Sequence, residues 1–448
     1  MKKHTVAFSR NSSNLFFHIL TKCNLSCKHC YINPEQHGKN TLDIETIKEW
    51  LNLVFEFSRQ SCPSKTQESP ISPKNSSSSG NSSNLENSSS PGNSSNLENS
   101  SSSGNSSNLE NSSSSGNSSN LENSSSSGNS SSPENYKKHE DINVIFLGGE
   151  PTLHPDLHLA VKEARKAGFK SITIDTNGYL FHDILEKITP DDVDFISFSL
   201  DGATAKTNDS IRGKGSYSTV LSGIKKAVDA GFSTSMIYTA SSDNLHELPL
   251  MPDLIKELGI ERFFIQVIGI RGASVEKWGQ SEKDRSSEKD RLSEKKEHPE
   301  KRVSKNSSAS QRQVSMKSWL ETVPDVAQKV AQLGVIVTYP KVFLEDGQVF
   351  ECAGLLADNY FLFPNGRIYR CPLCEDYPFH SFEIKTGNNE PDAVVPTPGI
   401  NESDFFRLDI PEGCVMNKLI QPGNIAYNSD GTPCYQIACC MLKEEISY

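Results

Sequence analysis

The sequence has no apolar run long enough to span a membrane, which excludes a transmembrane helix. It also has no basic, aromatic-interleaved patch, and its net charge of −11 gives nucleic acid no attractive surface. Behind the opening MKKHTVAFSRNSSN stands no apolar core, so this segment is not expected to act as a signal peptide. A cytoplasmic chain with unglycosylated Asn-x-Ser triplets is the expectation. Apolar residues are nearly missing from 63–138, where five tandem twelve-residue units such as NSSSSGNSSNLE follow one another. The stretch 276–313 is charged and repetitive, with acidic and basic residues alternating. Neither tract can bury enough apolar surface to offset the entropy of ordering it, so both are expected to be disordered insertions. The rest of the chain is ample for one large domain and a small one.

What the sequence does hold is a β/α alternation and eleven cysteines. Apolar, β-branched runs at 15–20, 143–147, 171–174, 193–199, 234–239 and 262–268 read as short buried strands. Amphipathic stretches at about 42–58, 155–168, 181–188, 216–231, 245–258 and 316–334 read as helices. Several end in Gly, as in EARKAGF and IKELGI. Strands alternating with helices imply right-handed, parallel βαβ units. The predicted fold is therefore α/β: a partial (β/α)6 TIM-like barrel with a small Cys-rich C-terminal domain and the two insertions. Chemistry in such a barrel sits at the C-terminal ends of the strands. Five loops converge there: Cys23–Cys30, Gly148–Pro151, Thr176–Gly178, Asp201–Gly202 and Gly269–Gly272. By the same rule the Ser/Asn insertion leaves from the opposite face, and the charged tract from the active face.

Without an export signal, clustered cysteines point to metal or redox chemistry rather than to a disulfide framework. Cys23, Cys27 and Cys30 are spaced C-x3-C-x2-C in TKCNLSCKHCY. A zinc site would want a fourth ligand, for which His29 and His37 are awkwardly placed. A [4Fe–4S] cluster on three thiolates leaves one iron open to a further ligand.

The combination CNLSCKHCY (23–31), GGEP (148–151), DTNGYL (175–180) and SFSLDGATAKTNDSIRGKGSY (197–217) resembles the radical S-adenosylmethionine (SAM) superfamily over about 14–270. The resemblance implies that Cys23, Cys27 and Cys30 ligate three irons, and that the fourth binds the methionyl amino and carboxylate groups of SAM. His29 would lie near the adenine. Gly148, Gly149, Glu150 and Pro151 would hold the amino group, the two glycines letting backbone approach the ligand. Asn177 and Ser199 would contact ribose or carboxylate, and Arg212 would pair with the carboxylate. Asn177 has a turn role as an equal alternative; Glu150 could simply cap its loop, and Arg212 could be an exposed loop residue. Reductive cleavage of SAM would yield a 5′-deoxyadenosyl radical that abstracts substrate hydrogen.

The C-terminal part carries Cys352, Cys371, Cys374, Cys414, Cys434, Cys439 and Cys440. CAGLLADNYFLFPNGRIYRCPLC reads C-x13-G-x4-C-x2-C, with YFLFPNGRIYRC a hairpin. This resembles the start of SPASM or twitch auxiliary-cluster domains, though the four-cysteine middle run of the full SPASM form is missing. One auxiliary [4Fe–4S] cluster is expected, on Cys352, Cys371, Cys374 and one of Cys434, Cys439 or Cys440. A zinc site on Cys371 and Cys374 is the alternative, and Cys62 reads as a free thiol.

These readings divide the chain into barrel segments 1–62, 139–275 and 314–345, the insertions 63–138 and 276–313, and an auxiliary domain 346–448. The implied activity is that of a radical SAM oxidoreductase or maturase. It would act on a peptide or protein side chain or a cofactor-biosynthesis intermediate, drawing electrons from a partner such as ferredoxin or flavodoxin. A non-catalytic Fe–S protein and a glycyl-radical activating enzyme are the alternatives. No catalytic acid or base is assigned. Asp201, Glu375 and Asp376 lie near the expected site, with Asp201 equally suited to bracing the loop after strand four.

Overall fold

The computed structural model describes residues 2–6, 12–33, 37–60, 141–275, 313–345, 347–375, 377–387 and 392–448. The expected disorder of 63–138 and of 276–312 falls outside these residues, as do Cys62 and Asp376.

Among the described residues thirteen strands form one sheet. In chain order they are β1 (Lys2–Val6), β2 (Ser12–His18), β3 (Asp141–Leu147), β4 (Ser171–Thr176), β5 (Phe195–Ser199), β6 (Thr234–Ala240) and β7 (Arg262–Val267). They continue as β8 (Ile336–Pro340), β9 (Asp358–Leu362), β10 (Arg367–Tyr369), β11 (Phe382–Lys385), β12 (Ala393–Pro396) and β13 (Lys443–Ser447). The spatial order is β1-β13-β8-β7-β6-β5-β4-β3-β2-β9-β10-β11-β12. Every pairing from β8 through β2 to β9 is parallel. The sheet does not close, because β8 pairs antiparallel with β13 on one side and β9 with β10 on the other. This is the partial barrel that the alternation predicts.

The helices are α1 (Ile44–Gln60), α2 (Leu157–Ala167), α3 (Ile184–Lys187), α4 (Ala205–Arg212), α5 (Ser216–Asp229), α6 (Met251–Leu258), α7 (Met316–Ala331), α8 (Ala353–Leu356), α9 (Glu402–Phe406) and α10 (Val415–Ile420). Their apolar stripes bury Ile47, Leu51 and Val54 of α1, Val161 and Ala164 of α2, and Val323, Ala327 and Val330 of α7 in one core with the strands. Gly168 ends α2 with φ of +102° and a backbone N–H bonded back to Ala164, a left-handed cap that side chains disfavour. The short α4 has too little apolar periodicity to be seen in the sequence; Thr204 caps it by accepting from the Thr207 N–H.

Two parallel strands extend the expected six. β8 follows α7 within the 314–345 barrel segment. β9 is the surprise, being half of the foreseen hairpin and also a parallel neighbour of β2. Stacked rings fasten that seam, Phe16 on Phe361 at 4.5 Å and His18 on Phe363 at 4.2 Å between centroids. The Cys-rich part thus continues the barrel sheet. No helix among the described residues is long and apolar enough to cross a membrane.

Candidate functional site

The Cys23–Cys30 loop follows β2 and has little secondary structure of its own, so it depends on its neighbours for shape. Gly149 N–H bonds Leu20 O (3.0 Å) and Glu150 N–H bonds Lys22 O (2.9 Å) from the loop after β3. Lys28 N–H reaches Ile211 O of α4 (2.9 Å), and Ala273 N–H after β7 reaches Cys30 O (2.9 Å). A Cβ on Gly148 would stand 2.6 Å from Leu20 O, and one on Gly149 only 2.2 Å from Lys22 O. The glycines are thus needed for close approach to the cysteine loop itself, a backbone-to-backbone contact that the sequence reading assigned to the ligand.

Glu150 is buried, and its carboxylate is fully occupied by the protein. It accepts from Thr152 N (3.1 Å) and Oγ1 (2.6 Å), Thr176 Oγ1 (2.8 Å) and Asn177 N (2.7 Å). Those bonds tie the loop after β3 to the end of β4, the capping role. Burial raises its pKa, which the four donors counter. Pro151 opens the short turn that follows. Asn177 donates from Nδ2 to Asn24 Oδ1 (2.8 Å) and stands 3.7 Å from Cys23 Sγ.

A second bracket was legible only in part. Asp201, wholly buried after β5, accepts from Thr239 N (2.7 Å) and Arg212 Nε (2.5 Å), and its Oδ2 lies 2.9 Å from His29 Nε2. Burial alone would push this carboxyl up, but Arg212 and His29 hold it well below the usual range. Arg212 and His29 are therefore engaged by Asp201, a partner the SIRG and KHC segments do not reveal.

These elements line a cavity of about 320 Å³. Cys23, Cys27, Cys30, His29, Gly148, Gly149, Glu150, Asn177, Ser199 and Arg212 all line it. Of the residues expected to bind SAM, only Pro151 is not on its wall. Burial pushes Cys23 up to about 11 and Cys27 up to about 12, and raises Cys30, so metal loading and loss of the thiol protons go together. Three thiols on one loop beside a small-molecule-sized hollow fit a cluster that takes three protein ligands and leaves one corner open.

The second cysteine set gathers around β9, β10 and the chain end. Cys352 precedes α8 and hydrogen-bonds Cys439, whose Sγ also accepts from Ala353 N (3.4 Å). The hydrogen bond between them lowers the Cys439 thiol and, with burial, raises Cys352. Cys371 and Cys374 hydrogen-bond each other, and Cys371 also feels Cys439. Cys414 is buried and interacts with Cys439, Cys371 and Cys440. Cys440 also lines the main cavity.

Cys434 is exposed and donates to Asn428 Oδ1 (3.2 Å), because a turn closed by Asn428 and Thr432 carries it away from the chain-end segment. Cys414, left aside as a lone cysteine, stands with the others through a bond from its N–H to Ile437 O (3.0 Å). The set so assembled is Cys352, Cys371, Cys374, Cys414, Cys439 and Cys440. Among the described residues no three His, Cys, Asp or Glu side chains are gathered tightly enough for a single metal ion. A four-iron cube takes its thiolates at separate corners and does not require that.

Sequence reasoning missed Glu402 of α9. It is fully buried and accepts from Arg370 N (2.8 Å), Cys371 N (3.1 Å) and Ser381 Oγ (2.6 Å). Arg271 forms an ion pair with Glu375, beside Cys374, and its guanidinium lies 5.1 Å from the Tyr31 ring, beside Cys30. It thus links the two cysteine regions.

Residues 134–255 match the family model of the Radical SAM superfamily. This segment holds GGEP, DTNG and Asp201–Arg212, and the match implies a [4Fe–4S] cluster and SAM as cofactors. Among curated proteins the chain is 32% identical over 136 residues to Fe-coproporphyrin III synthase of Methanosarcina barkeri, covering 30% of this chain and 34% of that protein. It is 30% identical over 149 residues to a probable GTP 3′,8-cyclase of Saccharolobus islandicus, covering 33% and 48%. The chain thus spans between a third and a half of these relatives. Among solved structures, Streptococcus suis SuiB bound to S-adenosylmethionine aligns over 92% of this chain and 67% of that one, at 12% identity and TM-score 0.45. A tagged form of anSMEcpe with bound AdoMet aligns over 93% and 84%, at 11% identity and TM-score 0.47.

Proposed function

We propose that this protein is a radical SAM enzyme with an auxiliary Fe–S cluster in its C-terminal part. The observation that carries the reading is the convergence of Cys23, Cys27 and Cys30 with Gly148–Glu150, Asn177, Ser199 and Arg212 on one cavity. When bound, a cluster held by Cys23, Cys27 and Cys30 together with SAM would supply one-electron reductive chemistry able to start hydrogen abstraction from a substrate.

The chain's own residues do the positioning. Cys23, Cys27 and Cys30 hold the cluster, and the Gly148–Gly149 backbone locks their loop. Glu150 keeps the loop after β3 and Asn177 in mutual register. Asp201 fixes His29 and the Arg212 guanidinium at the cavity wall, where Arg212 can meet a carboxylate. Phe16, Phe361 and Phe363 make part of the cavity wall apolar. Cys352, Cys371, Cys374 and Cys439 are the first candidates for the auxiliary ligands, with Cys440 facing the substrate space. The substrate would be a peptide or protein side chain or a cofactor-biosynthesis intermediate, and the electron donor a ferredoxin or flavodoxin.

Anaerobic reconstitution with iron and sulfide, followed by dithionite and SAM, tests the reading. About eight irons per chain with release of 5′-deoxyadenosine is the expected outcome. Full iron loading without 5′-deoxyadenosine would refute it.

A further inference from the structure

Most charged groups on the cavity wall already have partners. Arg212 is paired with Asp201 and Arg271 with Glu375, while Glu150 is consumed by four donors. Lys443 also lines the cavity, where the charges acting on it are those of Cys440 and Cys439. Asp175 stands apart. It projects from β4 into the cavity, two residues before Asn177 and so roughly 7 Å deeper along the strand. Its exposure is to this space. Its hydroxyl partner is Ser197 on β5, its register neighbour, and among the described residues the like charge of Glu150 adds to the effect of burial on it.

Aromatic residues line the same cavity two strands along the sheet, on the far side of Leu147. His18 pairs in register with Leu147, and Leu147 sits one position past the Phe146–Ile174 pair, level with Asp175. Two strand spacings, roughly 10 Å, therefore separate Asp175 from His18. His18 is stacked on Phe363, with Phe16 stacked on Phe361 beside it. Burial holds His18 down at about 3, so it presents a neutral ring.

A buried carboxylate is unfavourable until a cation or several donors meet it. A carboxylate and aromatic rings lining one cavity match an organic cation, which gains ion pairing from the one and ring contact from the others. A neutral hydroxyl would leave the charge uncompensated, and an anion would be repelled. We propose that Asp175 is a substrate-binding residue of this chamber, and that the substrate presents an alkylammonium group to it. The inference rests on the chamber being the substrate site of the enzyme proposed above. Burial pushes Asp175 up to about 7, so the empty site gains its charge as pH rises. The titratable groups facing it are Glu150 from the loop after β3, Tyr31 from the cysteine loop and His18 from β2.

The test uses reconstituted full-length protein with saturating SAM and three probes of one size: n-butylammonium, n-butanol and butyrate. Saturation-transfer NMR or calorimetry should show butylammonium binding at least tenfold tighter than butanol, with no butyrate binding. Asp175→Asn should lose the preference and Asp175→Glu should keep part of it. Iron content and circular dichroism report whether each variant is folded. If Asn does not fold, wild type still decides the matter, because butylammonium affinity should rise between about pH 6 and 8 as the carboxyl ionises. Equal binding of amine and alcohol, or unchanged amine binding in a folded Asp175→Asn, overturns the proposal. So does a tenfold fall in SAM affinity without amine binding, which would give Asp175 to SAM instead. A capped lysine peptide run beside the free amine separates the two sources of the group, and tighter binding by either one supports the carboxylate. 5′-Deoxyadenosine release is measured on the same preparations. Amine binding without cleavage sinks the proposed function alone, and cleavage without amine binding sinks this inference alone.

Discussion

The two cysteine regions reach similar chemistry by opposite routes. Cys23, Cys27 and Cys30 lie within eight residues on one loop, and the fold's contribution is to pin that loop from outside through Gly149, Glu150, Ile211 and Ala273. The second set draws Cys352, Cys371, Cys374, Cys414, Cys439 and Cys440 from segments separated by up to 88 positions of chain. Here the fold makes the site itself. A carboxylate braces each region: Asp201 engages His29 in the first, and Glu402 holds the Arg370–Cys371 backbone in the second. A local motif survives any fold that leaves its loop exposed to a cavity. An assembled one exists only if the surrounding sheet is right.

The sharpest way to break the comparison is to remove one region and assay the other. Changing Cys23, Cys27 and Cys30 together to Ala should abolish SAM cleavage, a loss of at least a thousandfold, while the C-terminal set still binds iron. Cleavage that survives would remove the first loop from the mechanism. Next in size, combined replacement of Cys352, Cys371 and Cys374 should lower iron by about four per chain. Cys434→Ser should leave the iron count where it was. A loss of iron in that last variant would mean that the exposed thiol moves inward on loading.

The braces should differ less. Asp201→Asn leaves the buried Arg212 without its counter-charge, which costs about 3–5 kcal/mol of stability on chemical denaturation. The wild-type pH profile carries the same signature. A carboxyl held below its unfolded value contributes stability above that value and loses it as pH falls, so the difference between wild type and Asp201→Asn should narrow below about pH 4. A constant difference down to pH 2 would show that Asp201 acts by packing alone. Smallest of all is a segment that belongs to neither cysteine region. Deleting Ser64 to Asn135 should change the melting temperature and turnover little, and a soluble but inactive deletion would overturn that.

Much of the frame was legible because it is periodic. Strands β2 to β7 and the helices α1, α2, α5, α6 and α7 announce themselves by apolar spacing and by Gly at helix ends, signals that are local. The short helix α4 and the terminal strands β1 and β13 were not visible, since each owes its existence to a distant partner. Glu150 could be read as a loop residue, yet its four donors come from two loops. Asp201 was a candidate brace, but its grip on both Arg212 and His29 requires that β5, α4 and the cysteine loop meet. Glu402 and Asp175 gave no signal, because a carboxylate in a sequence is ordinary until its burial is known.

By itself the sequence determined the βαβ order, the C-x3-C-x2-C loop and the glycine pair beside it, because each depends on spacing or on the absence of a side chain. Only the tertiary structure decided which distant cysteines stand together, which carboxylates are committed to bracing and which one faces the cavity. Those outcomes depend on strand register and burial, and both are set by contacts between residues that the chain keeps far apart.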